Sequence, residues 1–189
     1  MERSWSRLVV AWLPVLIFLL ALGVYTATLG PTIDFWDCGE YVTCSHIVGV
    51  PHQPGTPLYV LVGRVFDVVF GQADITTASH RTAWAVNFMS AVFSALAVMM
   101  VYLIITRVAR RSDPDSGWLA PLGGVVGSLF LLFSETFWNN AIEAEVYGLA
   151  AFMMSMLAWV GLVWYDHRTE RRSDWLLLLL IYLCGLGVG

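Results

Sequence analysis

Five apolar runs, separated by one long and several short intervals that hold almost all of the charge, leave this chain few folds to choose from. A helix needs about 20 apolar residues to cross a hydrocarbon core of about 30 Å. Inside lipid, every backbone polar group must be satisfied within the element itself. The sequence therefore predicts an all-α, polytopic transmembrane helical bundle, with spans at about 8–29, 82–106, 118–133, 146–165 and 175–189. Composition agrees: 58% of residues are hydrophobic and 13% charged, against about 25% charged in soluble domains. The first run exceeds the roughly 7–15 apolar residues of a signal peptide, so it reads as a retained helix, with Pro14 free to bend it. Gly123 and Gly127 have the spacing of a close helix contact, although glycine is frequent in membrane helices anyway. The last run stops after 15 residues, in GLGVG, without a polar flank. That ending predicts the N-terminal part of a longer protein, inactive by itself.

All ten basic residues are arginine. With the N-terminus in the cytoplasm, Arg3, Arg7, Arg107, Arg110, Arg111, Arg168, Arg171 and Arg172 all fall inside, as the positive-inside bias requires. Residues 58–70 are apolar but carry Arg64 and Asp67. They reach only about 20 Å as a helix. A sixth crossing there would push the later arginines outside, so 58–70 is read as an interfacial or re-entrant helix within an outer loop, 30–81. The expected setting is a bacterial inner membrane, or the endoplasmic reticulum membrane of a eukaryote, with no nucleic-acid partner.

The outer intervals hold the candidate chemistry. Residues 31–59 gather Asp34, Asp37, Glu40, His46 and His52 with four prolines. On a helix, Asp37 and Glu40 share a face, and a desolvated carboxylate pair can keep one member as a base. The same spacing also describes ordinary acids at a helix start. VPHQPGTPLY (50–59) has three prolines that impose a fixed path. His52 within it is either a clamp beside the carboxylates or a plain surface turn. No second metal ligand lies at a standard spacing from it. Glu143 and Glu145, with Asn139 and Asn140, occupy the next outer interval; as helix residues they would point apart, leaving at most one at the site. Arg64 and Arg81 are candidates for an anionic substrate, with snorkelling as the alternative for Arg81. Cys38 and Cys44 share the outer side, and free thiols are expected rather than a bridge. The first four spans contain no Asp, Glu, Lys, Arg or His, whereas transporters and channels usually need intramembrane charges. That pattern suits an enzyme working at the bilayer surface; a transporter, flippase or assembly subunit is the alternative.

FWDCGEY, then GVPHQPGTPLYVLVGRVF, RTAWAVNFMSAVFSAL and SETFWNNAIEAEVY, resembles the protein O-mannosyltransferase-like family of GT-C-type membrane glycosyltransferases. The resemblance covers most of the chain in the right order, with Gln53 where the pattern has proline. It implies inverting transfer of a hexose such as mannose from a polyprenyl-phosphate sugar to a hydroxyl of a protein or glycan. By motif, Asp37 would be the catalytic base and Glu40 its acidic partner. His52 would belong to the clamp, and Glu145 would be the acid of the second outer segment. No divalent metal is required by this scheme.

Overall fold

The computed structural model describes residues 2–34, 36–71, 78–170 and 173–188. Phe35, positions 72–77 of the outer interval, Arg171, Arg172 and Gly189 lie outside the described residues, as do the side chains of Arg3, Arg7 and His80. Eight helices follow one another among the described residues: α1 (Glu2–Ala27), α2 (Cys38–Ile47), α3 (Pro57–Phe70), α4 (Ala78–Ser112), α5 (Leu119–Leu132), α6 (Glu135–Ala141), α7 (Val146–His167) and α8 (Ser173–Val188). Each of the five apolar runs is helical, and the described residues form no strand. By length and apolarity, α4 and α7 are long enough to cross a membrane. The α5–α6 pair, bent by 68°, makes a third candidate if counted as one broken span. The apolar segments Ala11–Ala27 of α1 and Ser173–Gly187 of α8 are shorter.

Helix α4 is the spine. Its 35 residues reach about 52 Å, and α1, α3, α5 and α7 all pack on it. It runs past the expected 82–106 at both ends, so Arg107, Arg110 and Arg111 ride on its last turns rather than in a connecting loop. Arginine is a good helix former, and the helix stops where Pro114 bars the α conformation of the residue before it. Arg107 and Arg111 grip Asp166 of α7 at 2.7 and 2.6 Å. Their guanidinium groups also lie over Trp159 and Tyr165.

Two apolar clusters flank α4. One joins Ile17, Ala21 and Tyr25 of α1 with Ala91, Ala95 and Val98 of α4, Leu132 and Ala141. Tyr25 donates its hydroxyl hydrogen to the Leu132 carbonyl at 3.0 Å, closing the end of α5. The other joins Cys38, Tyr41 and Val42 of α2, Tyr59 of α3, Val86 and Met89 of α4, and Leu149 of α7. This second cluster carries the loop that holds the polar residues.

The close contact between α4 and α5 is made at Gly124 and Gly127, not at the expected pair Gly123 and Gly127. A Cβ on Gly124 would stand 2.8 Å from the Tyr102 ring and collide with the Thr106 hydroxyl, whereas one on Gly123 would touch nothing nearer than 4.0 Å. Spacing specifies a stripe, but the roll of the helix decides which member of it faces the partner. Gly124→Ala is expected to destabilise the bundle by about 1–3 kcal/mol through overpacking, read as thermal unfolding in detergent. Gly23→Ala, with nothing within 4 Å of the added carbon, is the control that should not lose stability.

Candidate functional site

Asp37 ends the loop and stands at the N-cap of α2, but its carboxylate makes no capping hydrogen bond. Glu40 is on the first turn of that helix. The proline-rich turn brings His52 back over both. The His52 backbone N–H donates to one Glu40 oxygen at 2.6 Å, and His52 Nδ1 lies 2.8 Å from the other. The far side of the same ring, Nε2, is 3.9 Å from Asp37 Oδ2. A single imidazole thus bridges two carboxylates, with the ring of Tyr41 packed beside it at 5.9 Å between centroids. The hydrogen bond to Glu40 raises the His52 pKa above the usual histidine range. The reciprocal effect of the His52 side-chain and backbone donors lowers that of Glu40.

Residues 142–145 are not helical, and Glu145 is extended, with φ −134° and ψ 146°. The expectation that Glu143 and Glu145 point apart rested on a helix; the chain instead bends through 142–144 before the extended Glu145, so helical spacing does not place them. Glu145 is buried, at 8% exposure. Burial first, and then the charges of Glu143 and Asp37, push its pKa up to about 7, with His52 acting the other way. Glu143 is raised as well, by burial and by Asp34. The second interval therefore brings Glu145 to the Asp37 side of the cluster and Glu143 to the Asp34 side.

Arg64 is placed elsewhere. Its Nη1 donates to Asp67 at 2.6 Å and to the His46 carbonyl at 2.8 Å, and His46 Nδ1 lies 2.9 Å from the same Asp67 carboxylate. This second knot sits at the far end of α2, about 13 Å along the helix from Asp37, and it neutralises the buried Asp67. Arg81 is exposed near the start of α4 and forms no ion pair among the described residues. The three cysteines are free, with Cys38 and Cys44 buried.

Asp37, Glu40 and His52 each offer one ligand atom, all within 4.8 Å of one another. The ligand spacing that the linear sequence lacks is thus supplied by folding, and oxygen and imidazole donors of this kind suit a divalent cation. In the structure, His52 and Glu40 satisfy each other directly. Beside the cluster, an apolar groove of about 430 Å³ runs between α3, α7 and α8. Tyr59 and Val146 line it with Leu149, Met153, Met154 and Leu157, so it passes one residue from Glu145.

The two residues that hold these pieces together lie in the quoted RTAWAVNFMSAVFSAL run, where sequence reasoning gave them no role of their own. Asn87, fully buried on α4, donates to the carbonyls of Gly30 at 2.8 Å and Thr32 at 3.0 Å. Its Oδ1 accepts the Cys38 thiol at 3.8 Å. Ser90, also buried, exchanges hydrogen bonds with the backbone of Glu145. The available signal was an amide inside an apolar run, because a buried polar group needs partners.

A family model described as the protein O-mannosyl-transferase TMEM260 N-terminal domain matches residues 37–189. The chain is similar to the Dictyostelium discoideum protein O-mannosyl-transferase tmem260, at 28% identity over 80% of this chain and 17% of that protein. It is similar to the Mus musculus protein O-mannosyl-transferase TMEM260, at 25% identity over 92% of this chain and 22% of that protein. The chain thus spans about a fifth of the length of these relatives. No solved structure matches.

Proposed function

The chain belongs to the family of the protein O-mannosyl-transferase TMEM260 N-terminal domain, and from that premise we propose that it is the acid-bearing part of a membrane O-mannosyltransferase. The donor is a polyprenyl-phosphate mannose and the acceptor a protein hydroxyl, on the non-cytoplasmic face of a multi-pass membrane protein of the GT-C type. The observation that carries this reading is the Asp37–His52–Glu40 cluster, with Glu145 next to it. Support for a lipid-borne donor comes from the apolar groove that passes the cluster. Support for the orientation comes from the separation of about 30 Å along α4 between Asn87, below the cluster, and Arg107 of the basic clasp, which matches the hydrocarbon thickness.

In this mechanism the acceptor oxygen attacks the anomeric carbon, the bond from that carbon to the phosphate oxygen breaks, and the polyprenyl phosphate leaves with the electron pair. Inversion follows from the single in-line displacement. Asp37 takes the acceptor proton, which needs a carboxylate within hydrogen-bond reach of the hydroxyl. His52 is held by Glu40 and presents its other nitrogen to Asp37. It keeps the Asp37 carboxylate in place. Glu145, half protonated near neutral pH, donates to a sugar or phosphate oxygen. Arg81 is the exposed cation that meets the donor phosphate, whereas Arg64 keeps its structural partner Asp67.

The test is transfer of labelled mannose from polyprenyl-phosphate mannose by the full-length protein in membranes. Transfer to a protein hydroxyl with inverted linkage is expected. A well-inserted protein that transfers nothing from any such donor would return the weight to a transporter, flippase or assembly subunit.

Glu145 makes a separate prediction about pH. Its pKa is pushed up to about 7, so it is a neutral donor below that pH and a carboxylate above it. Transfer is expected to decline as pH rises through about 7 in the wild type. In Glu145→Gln, a permanently neutral donor, the Glu145 share of the decline should vanish, leaving only the share that comes from loss of the His52–Glu40 pair. The pH profile of kcat checks this, and an unchanged descending limb in the variant would assign the limb to another group.

A further inference from the structure

Two site segments far apart in sequence rest on one short stretch of α4. Asn87 and Ser90 are three residues apart, on adjacent turns and about 4.5 Å apart along the axis. Asn87 binds the carbonyls of Gly30 and Thr32 and the thiol of Cys38, and Cys38 directly follows Asp37. Ser90 donates to the Glu145 carbonyl and accepts from the Glu145 N–H, both at 3.4 Å. A direct bond from the Gly30 N–H to the Ile142 carbonyl, at 3.0 Å, ties the same two segments to each other. The side chains of Asn87 and Ser90 are 0% and 1% exposed. Neither can reach a substrate, and neither is needed simply to fill space, because apolar residues fill the surrounding α4 surface.

Resting on the transferase reading above, we propose that Asn87 and Ser90 are positioning residues that set the distance between Asp37 and Glu145. Asn87 fixes the entry of the first loop into α2, and with it the backbone of Asp37. Ser90 fixes the backbone of Glu145 where the second segment enters α7. The rigid turn of α4 between them carries the register from one acid to the other. An acceptor hydroxyl and a donor sugar must fit between the two acids, and a misplacement of about 1 Å at such a pair can cost about a hundredfold in rate.

The test uses the full-length protein in membranes, with polyprenyl-phosphate mannose as donor, in a background carrying Cys44→Ser and Cys184→Ser. Asn87→Ala is expected to lower kcat by roughly 10- to 100-fold with the donor KM within about twofold. A role in folding alone would lower the amount of active protein but not produce that split once activity is scaled to folded protein. In the same variant, Cys38, which is buried in the wild type, should react with a water-soluble maleimide at least several times faster. Ser90→Ala removes one hydroxyl and should lower kcat by a smaller factor without unmasking Cys38. It also serves where Asn87→Ala fails to insert. Unchanged kcat in both variants would overturn the proposal, as would a Cys38 that stays protected in Asn87→Ala. Absence of transfer by the wild type would sink the transferase reading and the positioning role with it. In that event, maleimide labelling would still show whether Asn87 anchors the first loop.

Discussion

Asp37→Asn is expected to abolish mannose transfer by the full-length protein, by about 10²- to 10⁴-fold, while leaving its insertion and abundance unchanged. The argument is in the geometry of one carboxylate. Asp37 stands at the N-cap of α2 but makes no side-chain capping bond, so the fold does not draw on its oxygens there. Its side chain is 54% exposed, and its near neighbour is His52 Nε2 at 3.9 Å. An amide of the same shape preserves the packing and the backbone and removes only the ability to take a proton. Membrane insertion, thermal unfolding in detergent and transfer of labelled mannose would be measured side by side. Full activity in Asp37→Asn would remove Asp37 as the base. A non-enzymatic membrane module would show no transfer in either protein and no loss of insertion or thermal stability in the variant.

His52→Ala and Glu40→Gln are expected each to cost roughly 10- to 100-fold in kcat, and the double variant about as much as either alone, because groups that act as a unit are not additive. The two residues share both a side-chain bond at 2.8 Å and a backbone bond at 2.6 Å. His52→Ala removes the imidazole from Asp37 but keeps the backbone N–H that donates to Glu40, whereas Glu40→Gln removes the charged partner of the imidazole and lets it drift from Asp37. The pH dependence follows from the opposite shifts. His52 is raised and Glu40 lowered, so the charged pair is intact at intermediate pH. It is lost as pH rises through the raised His52 pKa, and lost again as pH falls through the lowered Glu40 pKa. Both side chains are solvent-accessible, and screening should weaken the pair at high salt. A double-mutant cycle on kcat checks the coupling. Strictly additive losses would mean that His52 and Glu40 serve the reaction separately.

The reach of the sequence can be judged residue by residue. The apolar runs place α1, α4, α5, α7 and α8, because hydrophobic length is a local property that any stretch of chain displays by itself. The 58–70 segment declared itself as a distinct short helix for the same reason, since Arg64 and Asp67 interrupt its apolar run. Asp37, Glu40, His52 and Glu145 stood out as polar chemistry in a lipid-soluble chain, and the quoted motifs carried the family. What the sequence could not express is which of these groups meet. His52 reaches Glu40 across 12 positions, Asn87 reaches Gly30 across 57, and Glu145 reaches Ser90 across 55. Arg64 looked like an equal candidate in the linear chain, yet the roll of α3 turns it onto the buried Asp67 and the end of α2. Glu143 and Glu145 meet different neighbours, Asp34 and Asp37, because the chain bends through 142–144, a path that their spacing in the sequence does not announce. Helical periodicity and hydrophobic length are written into neighbouring residues, so the sequence alone determined an all-α bundle with its acids gathered between spans. The meeting of those acids with one histidine depends on helix packing across tens of residues, so only the tertiary structure decided it.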